Sequence, residues 1–144
     1  MVQVFKDFTA LKQCYIISML ILVTGCKDLR SLDGNYSMCH LGEYTEVYFK
    51  GDSIRVASEN EWAKLSDWKK IMISRDTIFF QTFGEWRDSI MAKLKYVDKN
   101  KIQMQNLSNG EILTMQRIED RVTFENINEF WKGFINRRHS ETCN

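Results

Sequence analysis

Short runs of alternating apolar and polar residues fill most of the chain after its first thirty residues. In residues 43–50, Val47 and Phe49 fall on one face of an extended segment, and Glu46 and Tyr48 fall on the other. Alternation with a period of two is typical of a β-strand that has one face toward a core and one toward water. We therefore expect Val47 and Phe49 to face a core, and Glu46 and Tyr48 to face solvent.

Polar turn-like segments recur before isoleucine, at residues 51–54, 75–78 and 87–90. Turn signals spaced by about 8–12 residues indicate an all-β meander of short strands. The apolar runs between these signals predict about eight strands, at residues 36–40, 43–50, 53–58, 69–74, 77–83, 87–97, 101–107 and 111–118.

Two segments break the strand pattern. Ser58 begins a capping-box-like sequence that predicts a short helical segment reaching Leu65. Asn126 offers a second N-cap, and the residues after it carry apolar side chains at helical spacing. These side chains are Ile127, Phe130, Trp131, Phe134 and Ile135. We expect this second helix to cover a face of the sheet.

Eight short strands followed by one amphipathic helix predict an all-β domain, a small antiparallel up-and-down barrel with one C-terminal α-helix. Gly34-Asn35-Tyr36, at the start of the first strand, resembles the Gly-x-Trp signature of lipocalin-like domains, with Tyr36 in place of tryptophan. The resemblance implies a small ligand-binding barrel, with an arginine near the last strand placed over the first-strand aromatic ring. Arg117 is the matching residue, and Arg121 is the alternative. A filled β-sandwich without a cavity would give almost the same sequence pattern.

The beginning of the chain reads as an export signal. An apolar run of ten residues, 14–23, follows two lysines and ends at Thr24-Gly25-Cys26. The run is too short to cross the ~30 Å hydrocarbon core of a bilayer as a helix. An uncleaved anchor or a buried helix is the alternative interpretation.

The small residues before Cys26 resemble a bacterial lipobox, in which signal peptidase cuts before a cysteine that is then acylated. The resemblance implies a lipid-anchored protein of the bacterial cell envelope, held at the outer membrane on its periplasmic or surface face. It divides the chain into a signal peptide at 1–25, a short tether at 26–32 and a barrel domain at 33–144.

Charge gives no reason to expect a nucleic-acid partner. The whole chain has a formal net charge of +1. Cleavage after residue 25 would remove two lysines and one aspartate and bring the balance to zero. A neutral chain with interspersed charges lacks the basic patch that nucleic-acid binding requires. We expect a membrane partner through the anchor and no nucleic acid.

Cysteine usage leaves two candidates for one disulfide. With Cys26 acylated and the signal removed, Cys39 and Cys143 remain, and an oxidising envelope compartment favours their pairing. The alternative is a buried Cys39 and a free thiol at Cys143. A zinc site with His40 and His139 is disfavoured, because adjacent residues of a strand point to opposite faces. We therefore predict no metal and no other cofactor.

The sequence offers no catalytic constellation. His40 and His139 are its only imidazoles, and it contains neither a nucleophile motif nor a phosphate loop. We predict that the protein is not an enzyme.

Aromatic residues are abundant, and most of them are expected to fill the core. The candidates for contact with a ligand are three tryptophans in or beside the connections between strands, together with two strand residues. Such connections lie at the mouth of a barrel, where a ligand enters. These candidates are Trp62, Trp68, Trp86, Phe80 and Tyr96. The predicted function is non-catalytic binding of a small apolar or amphipathic ligand in the barrel. The alternative is a protein-interaction lipoprotein, of a periplasmic-inhibitor or immunity type, with a filled β core.

Overall fold

The structure, a computed structural model, describes residues 32–59, 64–81 and 89–143. In these ranges the chain forms ten β-strands and one helix, α1 (Ile127–Ser140). The strands are β1 (Leu32–His40), β2 (Glu43–Gly51), β3 (Ser53–Ser58), β4 (Lys64–Leu65), β5 (Lys69–Lys70), β6 (Met72–Ser74), β7 (Thr77–Gln81), β8 (Ser89–Tyr96), β9 (Lys101–Asn106) and β10 (Ile112–Arg117).

The strands form one antiparallel sheet in the order β4-β3-β2-β1-β10-β9-β8-β7-β6. Most neighbours in this order are also consecutive in sequence, and only the β1–β10 pair joins distant parts of the chain. The predicted fold class is confirmed: an all-β, up-and-down antiparallel sheet with one C-terminal helix. Most of the predicted strand limits agree with the observed ones within two residues.

The segment formed by residues 69–74, called the seam below, curls the sheet. The hydrophobic pattern predicts one strand here, but the structure divides the segment at Ile71 into β5 and β6. β5 pairs with β3, whereas β6 pairs with β7 at the opposite end of the strand order. The N–H of Ile71 donates a hydrogen bond of 2.8 Å to the backbone oxygen of Asp52. One continuous segment thus connects both ends of the sheet.

The inner face of the curled sheet is filled by apolar side chains. Val47 and Phe49 lie there, as their positions in the alternating pattern predict. The buried members of this apolar cluster come from every strand except the short β4, β5 and β6, with Ile71 added from the seam, and Ile73 of β6 packs against them. Its buried members are Leu32, Tyr36, Val47, Phe49, Ile54, Ile71, Ile78, Phe80, Ala92, Leu94, Ile102, Met104 and Met115.

Helix α1 lies against the outer face of β2 and β3. Its N-cap is Asn126, whose side-chain oxygen accepts hydrogen bonds from two backbone N–H groups of the first turn, at 3.0 and 3.3 Å. Phe130 and Phe134 are the buried residues of the helix. They pack against Tyr44, Tyr48 and other side chains in a second apolar cluster.

This packing corrects one prediction. Glu46 and Tyr48 are not solvent-facing, because both are completely inaccessible beneath α1. Alternation along β2 separates the two faces correctly, but an element more than eighty residues later in the chain covers the face that looks polar.

The short helical segment predicted after Ser58 is the second difference. Residues 60–63 lie outside the described ranges, and Lys64 and Leu65, which follow them, form strand β4 rather than helix. Lys64 and Leu65 pair with Ser58 and Ala57 of β3.

The described part of the chain begins at Leu32, the last residue of the predicted tether. Leu32 is already buried and pairs with Gly51 as the first residue of β1. The predicted signal peptide and Cys26 lie outside the described residues. Within the described ranges, no helix has both the length and the apolar character that a membrane crossing needs.

Candidate binding clefts

Glu46 is the most enclosed charged residue between α1 and the sheet. Its Oε1 accepts hydrogen bonds from the Tyr44 hydroxyl at 2.7 Å and from Nε of Arg137 at 2.8 Å. Its Oε2 accepts from the Tyr48 hydroxyl and from Nη2 of Arg137 at 3.0 Å. Both carboxylate oxygens are therefore saturated by donors, and Arg137 binds them as a two-pronged fork.

The surroundings of Glu46 fix the protonation of its partners. Burial, together with the adjacent Glu46 carboxylate, raises the pKa of Tyr44 and of Tyr48. Burial is the largest single effect on the pKa of Arg137 and lowers it, but the hydrogen bonds to Glu46 and the charge of Glu46, with smaller contributions from Tyr48 and Tyr44, together outweigh burial and raise this pKa. The two phenols thus stay neutral and the guanidinium stays charged. Because solvent does not reach Glu46, we interpret this cluster as the docking point of α1 rather than as a reactive site.

Further contacts fix the C-terminal end of α1. Cys39 of β1 is joined to Cys143 by a disulfide, so the pair considered from the sequence is the pair that the structure connects. Neither sulfur is then available as a thiolate ligand for zinc. Arg138 forms an ion pair with Glu59 at the end of β3.

The first candidate site is a cleft of about 560 Å³ beside the seam, called the seam cleft below. Ile71 and Phe80 on its wall also belong to the inner core. Met72 and Met91 on its wall face outward, with 70% and 41% of their surfaces exposed. The full lining is Lys70, Ile71, Met72, Phe79, Phe80, Gln81, Ser89, Ile90, Met91 and Ser108.

A second cleft, of about 350 Å³, lies between the strands β1 and β2 and the segment that leads into α1. Trp68 forms part of its wall, so it is called the tryptophan cleft below. Its lining is more polar than that of the seam cleft: Asn35, Phe49, Lys50, Trp68, Arg121, Val122, Thr123, Phe124 and Glu125.

A third cleft, of about 510 Å³, runs along α1 near the Arg138–Glu59 ion pair. Its lining includes Trp131 and Ile135 of the helix.

The structure separates the predicted ligand-binding residues. Phe80 lines the seam cleft, and Trp68 lines the tryptophan cleft on the outer face. Tyr96, at the end of β8, lines none of the three clefts. Trp62 and Trp86 lie outside the described residues. None of the three clefts therefore combines two of the described candidates.

Met72 and Met91 are candidate site residues that the sequence pattern did not identify. Strand alternation assigns both methionines to the solvent face. An apolar side chain at a solvent-facing position was the one signal that could have identified them. Met72 pairs with Phe79, and Phe79 pairs with Met91, so the three side chains form a row across β6, β7 and β8.

Tyr36 and Arg117, the two residues related by the lipocalin resemblance, lie on neighbouring strands. Tyr36 of β1 is the register partner of Arg117 of β10, and the guanidinium charge acts to lower the pKa of Tyr36 against the larger effect of burial. The Tyr36 ring also lies over Gly34, where an added Cβ would come within 2.9 Å of the ring atom Cε2. Gly34 has a φ of +145°, a conformation that side-chain-bearing residues rarely adopt.

His40 lies close to one acidic side chain. Nδ1 of His40 lies 3.5 Å from Oε1 of Glu111, and both side chains are partly exposed. Within the described ranges, no group of three or more histidine, cysteine, aspartate or glutamate side chains is arranged to hold a metal ion.

Comparison of the chain with protein-family models, with curated proteins and with solved structures gives no match.

Proposed function

We propose that this chain is a lipid-anchored protein of the bacterial cell envelope that binds a small apolar or amphipathic ligand without transforming it. The observation that carries the proposal is the seam cleft. Its volume of about 560 Å³ falls within the range of roughly 300–1,000 Å³ that is usual for small-molecule sites. Most of its wall is apolar, which such ligands require.

The chemistry of the wall supports an amphipathic ligand. Ile71, Phe80 and Ile90 provide an apolar floor that continues into the core. Met72 and Met91 flank the opening, and flexible methionine side chains adapt to ligands of different shape. The polar groups at the cleft belong to Lys70, Gln81, Ser89 and Ser108, enough to orient one polar head.

The proposal places the ligand at the seam rather than in the middle of the barrel. Thirteen buried side chains occupy the inner face of the sheet. At the seam, the segment stops pairing with β3 and begins to pair with β7. An opening in the wall at this point gives a ligand access to apolar surface without displacing the core.

Acylation of Cys26 would hold this site close to a membrane. Leu32, where the described sheet begins, lies six positions after Cys26 in the sequence. An extended segment of that length reaches at most ~20 Å. An amphipathic ligand could therefore pass between the bilayer and the cleft over a short distance.

Native mass spectrometry of the full-length protein, released from membranes in mild detergent, tests the ligand proposal. We expect a small amphipathic molecule to remain bound. The double variant Met72→Gln/Met91→Gln should lose it, because both substitutions place amides at the opening. Ile112→Gln is the matched control, since Ile112 is exposed to 55% but does not line the cleft. Equal retention by the double variant and the wild type would count against the seam cleft.

The anchor is tested separately by the variant Cys26→Ser. We expect this variant to lack acyl chains in mass spectrometry and to accumulate with residues 1–25 still attached. An acylated Cys26→Ser protein would contradict the assignment of Cys26.

A second candidate function is binding of a protein partner. The observation in its favour is the row formed by exposed Met72, half-buried Phe79 and exposed Met91. Leu107 extends this row, since its N–H donates a 2.9 Å hydrogen bond to the Met91 carbonyl. Leu107 is 45% exposed. Contiguous apolar surface of this kind marks interaction sites. Co-purification of a stoichiometric protein, lost in Met72→Gln/Met91→Gln, would favour this function over ligand binding.

A further inference from the structure

We propose that the tryptophan cleft is a separate binding site for an organic phosphate, held by Lys50 and Arg121 and packed against Trp68. The proposal does not depend on the seam cleft, because the two clefts share no lining residue.

The fold brings three distant segments together at this cleft. β1 provides Asn35 and β2 provides Lys50. The segment that crosses from β10 to α1 provides Arg121 and Thr123. Amide, hydroxyl, ammonium and guanidinium groups thus border one small space. The Thr123 hydroxyl donates its hydrogen to Glu125, so the amide, ammonium and guanidinium groups are the donors left for a ligand.

The wall of this cleft carries more cations than carboxylates. Among the described residues, neither Lys50 nor Arg121 has an ion-pair partner, and both side chains are exposed. The cleft has one carboxylate on its wall, that of Glu125, and this accepts a 3.1 Å hydrogen bond from the Thr123 hydroxyl. On the wall itself, two cations against one carboxylate leave an excess of positive charge, which favours an anionic ligand. Asp33, the register partner of Lys50, accepts a 2.9 Å hydrogen bond from the Gly51 N–H and forms no ion pair with Lys50.

Trp68 supplies a rigid apolar surface beside these charges. Its ring meets Phe124 edge to face at a centroid distance of 5.7 Å, and the guanidinium carbon of Arg55 lies 5.8 Å from the Trp68 ring centroid. These contacts fix the indole, yet 38% of the Trp68 surface remains exposed. An exposed aromatic surface held in place can pack against the carbon skeleton of a ligand.

Phosphate fits this pair of cations better than a carboxylate does. A phosphomonoester carries about −1.5 to −2 charges at neutral pH and offers three strong acceptor oxygens. Lysine binds it as a point charge, while the planar arginine fork binds two oxygens at once. The volume of about 350 Å³ accommodates one phosphate with a glycerol- or sugar-sized group. A phospholipid headgroup and a soluble sugar phosphate share this chemistry.

Nuclear magnetic resonance of the full-length protein, labelled with ¹⁵N at tryptophan and kept in detergent, tests the proposal. The chain has four tryptophans, and the variant Trp68→Phe identifies the Trp68 indole signal by its absence. We expect this signal to shift saturably with glycerol 3-phosphate or glucose 6-phosphate. Glycerol and glucose, which lack the charge, should produce no saturable shift. Tighter binding of glycerol 3-phosphate would assign a lipid headgroup as the source, and tighter binding of glucose 6-phosphate a soluble metabolite.

Charge-neutral variants separate specific binding from general attraction. Lys50→Gln/Arg121→Gln should weaken the binding of the preferred phosphate by at least about tenfold, because it removes both charge-assisted contacts. Lys95→Gln is the control, since Lys95 is an exposed residue of β8 that does not line the cleft. Absence of a saturable shift, or equal affinity in the wild type and the Lys50→Gln/Arg121→Gln variant, would overturn the proposal.

Discussion

Glu46 of β2 and Arg137 of α1 are separated by 91 residues in sequence and form two hydrogen bonds, of 2.8 and 3.0 Å, beneath the helix. The Glu46 side chain is fully inaccessible, and that of Arg137 is 12% exposed. A buried ion pair contributes modestly by itself, but removal of one partner leaves a charge without compensation in a medium of low polarity.

We expect Arg137→Met to lower the free energy of unfolding by about 3–5 kcal/mol, because the Glu46 carboxylate would stay buried without its cation. The double variant Glu46→Gln/Arg137→Met should lose less stability, since the glutamine amide that replaces the buried carboxylate carries no charge. Denaturant unfolding followed by circular dichroism measures both changes.

Arg138→Met is the matched control for that experiment. Arg138 pairs with Glu59, but 47% of the Arg138 side chain is exposed. Exposed ion pairs contribute about 0–1 kcal/mol, so we expect a small loss. Equal losses for Arg137→Met and Arg138→Met would show that burial of Glu46 is not the decisive factor.

The raised pKa values of Tyr44 and Tyr48 predict loss of stability in alkali. Below pH ~10 both phenols are neutral in the folded and the unfolded chain, so they cause no pH dependence. Above pH ~10 the unfolded chain loses these protons while the folded chain keeps them, and the free energy of unfolding falls. Each tyrosine contributes a slope of up to about 1.4 kcal/mol per pH unit.

Unfolding curves measured between neutral pH and pH ~11 test this slope, and Tyr48→Phe should make it shallower. Tyr96→Phe is a useful comparison, because burial also raises the pKa of Tyr96 but 44% of its surface is exposed, so we expect a smaller change in slope. A slope unchanged in Tyr48→Phe would contradict the prediction.

The Cys39–Cys143 disulfide closes a loop with a sequence separation of 104 residues. In the chain-entropy description, a bond across about 100 residues stabilises the folded state by up to about 4.7 kcal/mol, by restricting the unfolded chain. We expect Cys39→Ser/Cys143→Ser to lower the free energy of unfolding by about 2–5 kcal/mol. Denaturant unfolding of the wild type with and without a reducing agent should give a similar difference, and a change below about 1 kcal/mol would argue against this account.

Gly34→Ala should destabilise the domain by about 1–3 kcal/mol, through an unfavourable φ and through contact of the new methyl group with the Tyr36 ring. Gly42→Ala is the control, because Gly42 also has a positive φ, of +80°, but nothing lies near its Cβ position. The difference between the two variants therefore measures the cost of the contact with the Tyr36 ring. Thermal unfolding compares the two variants. A loss in Gly42→Ala as large as that in Gly34→Ala would show that the Tyr36 contact has no cost.

Much of the sheet is predictable because its signals are local. The turn at Gly51-Asp52 and the alternation around Val47 depend on residues a few positions apart, and the observed β2 and β3 follow them closely. The N-cap at Asn126 is equally local, and α1 begins at the next residue. Hydrogen bonds within a turn or a cap do not depend on the rest of the fold.

The burial of Glu46 could not be predicted in the same way. Its environment depends on α1, and nothing near Glu46 in sequence identifies Arg137 as its partner. Tyr44 and Tyr48, on the same face of β2, were a signal that something covers them, because two large aromatic rings are rarely left in water.

The division of the seam into β5 and β6 was unpredictable for a similar reason. Residues 69–74 have the local pattern of one strand, but Ile71 marks the place where pairing passes from β3 to β7. That change depends on how far the whole sheet curls, which no short segment encodes. The seam cleft, and with it the exposed position of Met72, follows from this global property.

The bond between Cys39 and Cys143 also fixes an order of events during biosynthesis. Cys39 emerges from the ribosome, and under the export prediction from the translocation channel, roughly a hundred residues before its partner. Throughout that interval its thiol is open to reaction with small oxidants or with the earlier cysteines. We expect thiol-exchange catalysts, rather than spontaneous oxidation, to determine the yield of correctly paired protein.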